Sequence, residues 1–372
     1  MTDMLASDFS AFMREVTGFD PFPWQQRLLD TVLATGWPKL LDLPTGTGKT
    51  STLLVGLYAL ALEPDRFARR IALIVDRRII VDQVDEFARR MHAALGDSSK
   101  PVCAKVSRRL RGLSSNPDAE PVRVVQLRGG IARDDSWVGT PDQPTIIAST
   151  VDQVGSRLLF RGYGVSECMR PVHAGVLARD CLFLLDEVHL ATAFEETLGH
   201  LQTTYAQWSA RTGTGRGLQV VRMSATPRGN DRPSDIFGLD ADDRAHPVLA
   251  KRLNAARPAS LETVKTKRAA DAEGEAANRA LLADVASKRA VSAAGTGAKR
   301  IGIVVNRVDT AHGSARRQGS RPREGARGAA AHGADAALRQ VCDSIAATGD
   351  GLGGGRVQPV ERPRVRGRNQ LY

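Results

Sequence analysis

Leu43-Pro44-Thr45-Gly46-Thr47-Gly48-Lys49-Thr50 decides the reading of this 372-residue chain. A short apolar segment (Leu40, Leu41, Leu43) leads into it, and a helix-like run from Ser51 to Leu62 leaves it. The order is strand, glycine loop, helix. Such a loop turns its backbone N–H groups inward, and the helix N-terminus adds partial positive charge, so the assembly cradles phosphate. Thr45, Gly46, Thr47 and Gly48 form the cradle, Lys49 is placed to neutralise the β- and γ-phosphates of ATP, and Thr50 to hold Mg²⁺. The strict G-x-x-x-x-G-K-[ST] pattern asks for glycine at position 43, where this chain has Leu43. A plain glycine turn with a solvated Lys49 is the competing reading.

Working outward, Ile71 to Val75 is a continuous apolar run with β-branched residues, which predicts a strand buried on both faces. Ile79 to Leu95 follows with helical spacing. Val122 to Leu127, Thr145 to Ala148, Leu182 to Leu185 and Gln219 to Met223 read as further strands, and 193–211 as a helix. Alternation of strands and helices predicts an α/β domain over residues 1–228, a parallel sheet covered by helices on both faces. Ligands of such sheets bind beyond the carboxyl ends of the strands. The glycine loop, Asp186 and Ser224 each follow a strand and can converge there.

Residues 229–270 are polar, with Asp240, Asp242, Asp243 and prolines at 233, 247 and 258, and read as a linker. Residues 271–311 read as the incomplete start of a second α/β domain: an amphipathic helix over 273–296, then a strand in Arg300 to Asn306. Residues 312–372 break the pattern. Gly, Ala and Arg supply 32 of these 61 residues, with no Phe, Trp, Met or Lys. That composition buries too little apolar surface to offset chain entropy, so a disordered tail is expected. The change after Ala311 has the Arg-Gly-Ala bias of a shifted reading frame in GC-rich DNA. A genuine basic tail is the alternative.

The net charge is +11, and the tail contributes +6 of it through eleven Arg against five acids. Basicity outside the tail is therefore a weak pointer to nucleic acid. Cys103, Cys168, Cys181 and Cys342 show no C-x-x-C spacing, which favours incidental thiols in a reducing cytoplasm over a metal site or disulfides. No signal-peptide pattern opens the chain, and its longest apolar run is too short for a bilayer; a cytoplasmic protein without a membrane partner is expected.

Two further clusters carry chemistry. Asp186-Glu187-Val188-His189 closes a buried strand. Asp186 is suited to Mg²⁺ and Glu187 to deprotonating an attacking water. Met223-Ser224-Ala225-Thr226-Pro227 closes another strand, where Ser224 and Thr226, with His189, are placed to couple hydrolysis to a second site. Hydroxyls after a strand are also ordinary turn formers.

Read in order, P-T-G-T-G-K-T, D-E-V-H and M-S-A-T-P resemble the motifs of superfamily 2 helicases, which implies a RecA-like fold. Gln25, in Phe22-Pro-Trp-Gln-Gln26, stands where these helicases read adenine, with Gln26 an adjacent competitor. Val75 to Gln83, Ser149 to Gln153, the ending His189 and Ile303 to Val308 are similar to segments of the CRISPR-associated helicase–nuclease of type I interference systems, in the subtype with its helicase at the N-terminus. The resemblance covers about residues 15–311. It implies a monomer that moves on single-stranded DNA, recruited by an RNA-guided surveillance complex. It also implies backbone contacts from Arg77, Gln83, Arg128, Gly129, Gly130, Thr150 and Asp152. Trp137 is a candidate for base stacking, or a partly buried loop residue.

The chain departs from that family in two ways. It has no His-Asp dipeptide for the nuclease, and no Gln-x-x-Gly-Arg-x-x-Arg element to supply arginine fingers. A truncated or frame-shifted product with weak ATP binding and poor turnover is expected. An RNA helicase of the DExD/H class, and a non-catalytic single-lobe nucleotide-binding module, are the alternatives.

Overall fold

Seven strands line up in the order β3-β4-β2-β5-β6-β1-β7, and every neighbouring pair runs parallel. They are β1 (Leu40–Asp42), β2 (Arg70–Val75), β3 (Arg123–Leu127), β4 (Thr145–Thr150), β5 (Cys181–Asp186), β6 (Leu218–Ser224) and β7 (Ile236–Gly238). In this computed structural model, residues 4–132, 134–187, 192–212, 216–224, 232–255, 261–266, 271–295 and 303 are described. The chain divides into two units at Pro258/Ala259.

Side chains alternate across a strand, and the alternation sorts the core. Ile71, Leu73, Val75, Leu182 and Leu184 face one apolar cluster. Ala72, Ile74, Cys181, Phe183 and Leu185 face the other. The first cluster is closed by α1 (Phe9–Thr17), α2 (Pro23–Thr35), α3 (Thr52–Leu62), α4 (Arg78–Gly96) and α5 (Pro101–Arg111). The second is closed by α6 (Val151–Leu158), α7 (Arg170–Ala178) and α8 (Thr192–Thr212). With both faces covered, each central strand is apolar throughout, which is why these strands read as continuous hydrophobic runs. The α/β fold with a parallel sheet covered on both sides is as the sequence predicts.

Local chemistry sets the helix ends. Pro23 takes the first position of α2, where its missing N–H costs nothing. The Gln25 amide oxygen accepts the Phe22 N–H at 2.8 Å. α3 is apolar all round and buried from Thr52 to Ala61, as expected of a helix enclosed by protein. The N-terminus of α5 is satisfied from another helix: the Glu15 carboxylate accepts the N–H groups of Val102 (3.1 Å) and Cys103 (2.7 Å).

The segment read as a linker is partly built into the sheet. β7 pairs with β1 as an edge strand. α9 (Ala241–Ala245) and α10 (Pro247–Leu253) follow it. Arg27 of α2 pins this segment: it bonds the Gly238 carbonyl at 2.9 Å, pairs with Asp240 at 2.8 Å and Asp243 at 2.5 Å, and lies over the Phe237 ring. The acidic residues that suggested a solvated linker are there to hold an arginine.

The second unit contains α11 (Ala272–Gly295), stitched by Lys288–Asp284 (2.8 Å) and joined to the preceding segment by Arg289–Glu262 (2.6 Å). Leu282 and Val291 on this helix are exposed. The strand expected at Arg300 to Asn306 and the tail at 312–372 lie outside the described residues, Ile303 apart. Among the described residues no helix is long and apolar enough to cross a membrane.

Burial separates the thiols. It pushes Cys103 and Cys181 up to about 12, while Cys168 is exposed beside Ser166. Thiolate is the reactive form. Alkylation of the folded chain at mildly basic pH is expected to label Cys168 and spare Cys103 and Cys181 until denaturant is added. Peptide mass spectrometry checks this, and early labelling of Cys181 would contradict the core described above.

Candidate active site

The loop after β1 has four of its carbonyls engaged by protein donors. Thr47 Oγ1 donates to the Pro44 carbonyl (2.8 Å), Trp24 Nε1 to that of Thr47 (3.1 Å), Ser51 Oγ to that of Gly48 (2.7 Å) and Arg252 Nη1 to that of Gly46 (2.9 Å). The Thr47 N–H is turned to the Pro44 carbonyl at 3.4 Å, and successive backbone N–H groups in such a glycine turn are the elements that bind anions. Gly46 and Gly48 sit at φ 90° and 89°, where a side chain is strained. Lys49 opens the turn Lys49–Ser51 that leads into α3.

Order in the sheet brings the acidic pair to this loop. β6 lies between β5 and β1, so Asp186 at the end of β5 is one strand removed from the glycine loop. Lys49 Nζ lies 3.1 Å from Asp186 Oδ1 and 3.0 Å from Glu187 Oε1. Lys49 is only 9% exposed. Burial works against its charge, but the two carboxylates outweigh burial and hold its ammonium above the usual lysine range. Burial raises the Asp186 carboxyl, and the Lys49 charge opposes that. Asp186 Oδ1 is buried, with the Lys49 ammonium 3.1 Å away as its partner. Such an oxygen fits a hard cation, and Thr50, on the loop, is the second oxygen donor the sequence offers. No group of three metal-ligating side chains forms among the described residues, so a cation here would depend on phosphate and water for the rest of its shell.

Glu187 stands at φ 54°, a left-handed conformation rare for a side-chain-bearing residue. Its N–H donates to the Met223 carbonyl at 3.1 Å, tying it to the end of β6. Gln25 is buried, with its amide nitrogen on Ser51 Oγ and lying against Gly48. Gln26 faces away and bonds Asp30 at 3.1 Å. Of the two glutamines left open by the sequence, Gln25 is the one at the loop.

The sequence profile of the Type III restriction enzyme, res subunit, matches residues 18–229, which is 212 of the 372 residues. The chain belongs to that family. No curated protein sequence matches it. Solved structures similar to it include the Pyrococcus furiosus Hef helicase domain, at 17% identity and TM-score 0.37, covering 62% of this chain and 40% of that one. The UvsW helicase from Bacteriophage T4 is similar at 16% identity and TM-score 0.31, covering 59% of this chain and 61% of that one. The chain thus spans between 40% and 61% of the length of these structures. Membership of the res-subunit family makes residues 18–229 an ATP-dependent, helicase-type ATPase domain.

Within this res-subunit domain the residues expected at nucleic acid are scattered in character. Arg77 lines a cavity of about 260 Å³ with Val75, Asp76, Ile80, Asp186 and Glu187, beside the acidic pair. Arg128 is committed to a protein partner: its Nε donates to Asp82 Oδ1 at 2.6 Å, and Gln126 bonds the same oxygen at 2.7 Å. Gly129 leaves room for Arg78, since a Cβ there would lie 3.1 Å from Arg78 Nη2. Gly130 takes φ 85°. Arg78 was not singled out from sequence. Gln83 is exposed on α4. Thr150 is buried at the end of β4, and Asp152 is exposed in the first turn of α6, so the segment read as a loop is a strand end running into a helix.

Trp137 corrects the stacking expectation. It is buried in the second core cluster, edge-on to His173 at 5.5 Å, so no base can reach it. Ser224 is buried at the end of β6, while His189 and Thr226 lie outside the described residues.

Proposed function

We propose that this chain is the ATP-hydrolysing lobe of a monomeric, cytoplasmic DNA helicase of a type I CRISPR interference system. ATP hydrolysis would drive its movement on single-stranded DNA delivered by an RNA-guided surveillance complex. The observation that carries the ATPase half of this reading is the Lys49–Asp186–Glu187 triad at the mouth of the glycine loop. The narrower half rests on the similarity of Val75 to Gln83, Ser149 to Gln153 and Ile303 to Val308 to that helicase family.

Lys49 neutralises two carboxylates, and with a triphosphate in the loop its ammonium would turn to the β- and γ-oxygens. Glu187, released from Lys49, takes the proton of the attacking water. Mg²⁺, held by Thr50 and Asp186, would neutralise charge on the phosphates. The Glu187–Met223 hydrogen bond gives a route from hydrolysis to the Ser224 strand end. On the same reading, residues 312–372 are a shifted frame, which sequencing across codon 311 and translating all three frames would test.

The functional test is ATP turnover by the full chain with single-stranded DNA or RNA of the same sequence. Weak turnover, stimulated by DNA over RNA and lost in Lys49→Ala, is the expected result, since the chain lacks the Gln-x-x-Gly-Arg-x-x-Arg element. Stimulation by RNA alone would favour the RNA-helicase reading. Nucleotide binding without turnover on either strand would favour the non-catalytic module.

A further inference from the structure

The end of the sheet away from the glycine loop is also charged. Arg69 stands just before β2, Asp180 just before β5 and Arg216 two residues before β6, so the three meet at the amino ends of central strands. β5 spans six residues, which puts this end about 20 Å from Asp186. The Asp180 carboxylate takes the Arg69 guanidinium at 3.1 Å and that of Arg216 at 2.9 Å. The backbone fixes it there: the Asp180 N–H donates to the Arg216 carbonyl at 3.0 Å, and its carbonyl accepts the Arg70 N–H at 3.2 Å. Arg70 is buried and donates to the carbonyls of Pro141 and Arg179. The Arg179 guanidinium lies 5.0 Å from the ring centroid of Trp208 on α8, a side chain 36% exposed. Arg211, three residues further on and exposed, is on the same face of that helix.

These contacts gather more positive charge than they neutralise. Arg69, Arg70 and Arg216 share one carboxylate, and Asp142, which feels the Arg69 charge, is a second. Carbonyls satisfy donors of Arg70 but leave its charge. The Nε atoms of Arg69 and Arg70 are buried without a hydrogen-bond partner. Arg179 and Arg211 add to the surplus around Trp208. Like charges held together repel, and a bound polyanion offsets that repulsion. Single strands are held by cations along the backbone and by aromatic rings or guanidinium planes under the bases. We propose that this end of the sheet is a second contact for single-stranded nucleic acid, with Arg69, Arg211 and Arg216 on phosphates and Trp208 with Arg179 as a stacking platform. The inference goes beyond the proposed function, whose nucleotide and strand contacts follow the carboxyl ends of the strands. A strand held here stays on the protein when contacts near the hydrolysis site let go.

The test is fluorescence anisotropy of the full chain with a labelled single strand, read beside photo-crosslinking of an iodouracil-substituted strand mapped by peptide mass spectrometry. Crosslinks are expected at Trp208 as well as at the carboxyl ends of the strands. Trp208→Ala is expected to weaken binding about tenfold, the scale of one lost base stack. Arg211→Ala is expected to lower the slope of log affinity against log salt by about 0.7, the share of one phosphate contact. ATP turnover without nucleic acid is expected to be unchanged in both variants. Crosslinks confined to the carboxyl ends, with both variants binding as the unaltered chain does, would overturn the proposal and leave the proposed function standing. Displacement of the strand from Trp208 by inorganic tripolyphosphate as readily as by unlabelled strand, at equal phosphate concentration, would overturn it too, because the arginines would then hold any polyanion. If the unaltered chain binds no strand, the proposal and the nucleic-acid half of the proposed function fail together.

Discussion

Glu187→Gln is expected to lower nucleic-acid-stimulated ATP turnover by about 10²–10⁴-fold while ATP remains bound, the range for loss of a positioned general base. The substitution keeps the size of the side chain and removes only its ability to take a proton. Asp186 still faces Lys49 at 3.1 Å, so the lysine stays charged and available for phosphate. Backbone conformation adds weight to this assignment. Glu187 occupies the left-handed region at φ 54°, which costs an ordinary residue about 1–2 kcal/mol. Glycine would adopt it without that cost, yet the chain keeps a carboxylate there. Such strain is tolerated where the surrounding structure holds a side chain in a needed place; here the hold includes the hydrogen bond to Met223. Steady-state phosphate release beside nucleotide titration checks the prediction. Equal loss of binding and turnover would place Glu187 in ATP capture.

The central fold was legible because burial on both faces leaves an unmistakable record. Ile71 to Val75 and Leu182 to Leu185 have no polar face to confuse with a helix, and Thr52 to Leu62 is the helix of that length in the structure. The acidic pair and the glycine loop were legible as local chemistry at strand ends. What was not legible is what depends on distant partners. Ile236-Phe237-Gly238 is too short, and too closely framed by proline and aspartate, to read as a strand; β1 and Arg27 make it one. Arg128 looked free for phosphate, and only folding brings Asp82 to it across 46 residues. Trp137 sits in a polar stretch that gives no sign of the His173 packing beneath it. Arg252 lies 206 residues from the loop it contacts, in a segment with no pattern to flag it.

Trp24 shows how core and site are joined, and its replacement is expected to disturb both. Its ring is fully buried among the α1–α5 face residues, including Leu28 and Leu29, and its Nε1 donates to the Thr47 carbonyl inside the glycine loop at 3.1 Å. Trp24→Ala removes a large buried ring, for which about 3–5 kcal/mol is the expected loss. For a unit of this size that is a fall of roughly 6–20 °C in Tm. The alanine variant cannot separate packing from hydrogen bonding, but Trp24→Phe can. Phenylalanine fills most of the same space and leaves the Thr47 carbonyl without its donor, at a cost of about 1–3 kcal/mol. Thr47 is itself buried, so water is poorly placed to replace the indole. With that carbonyl unanchored, the loop loses one of the bonds that fix its conformation. Trp24→Phe is therefore expected to bind ATP less tightly than its modest loss of stability alone would require. Denaturant unfolding and ATP titration on the same preparations check it. Unchanged ATP affinity in Trp24→Phe would mean that the Thr47–Pro44 and Ser51–Gly48 bonds are enough to hold the loop open, and that Trp24 serves the core alone.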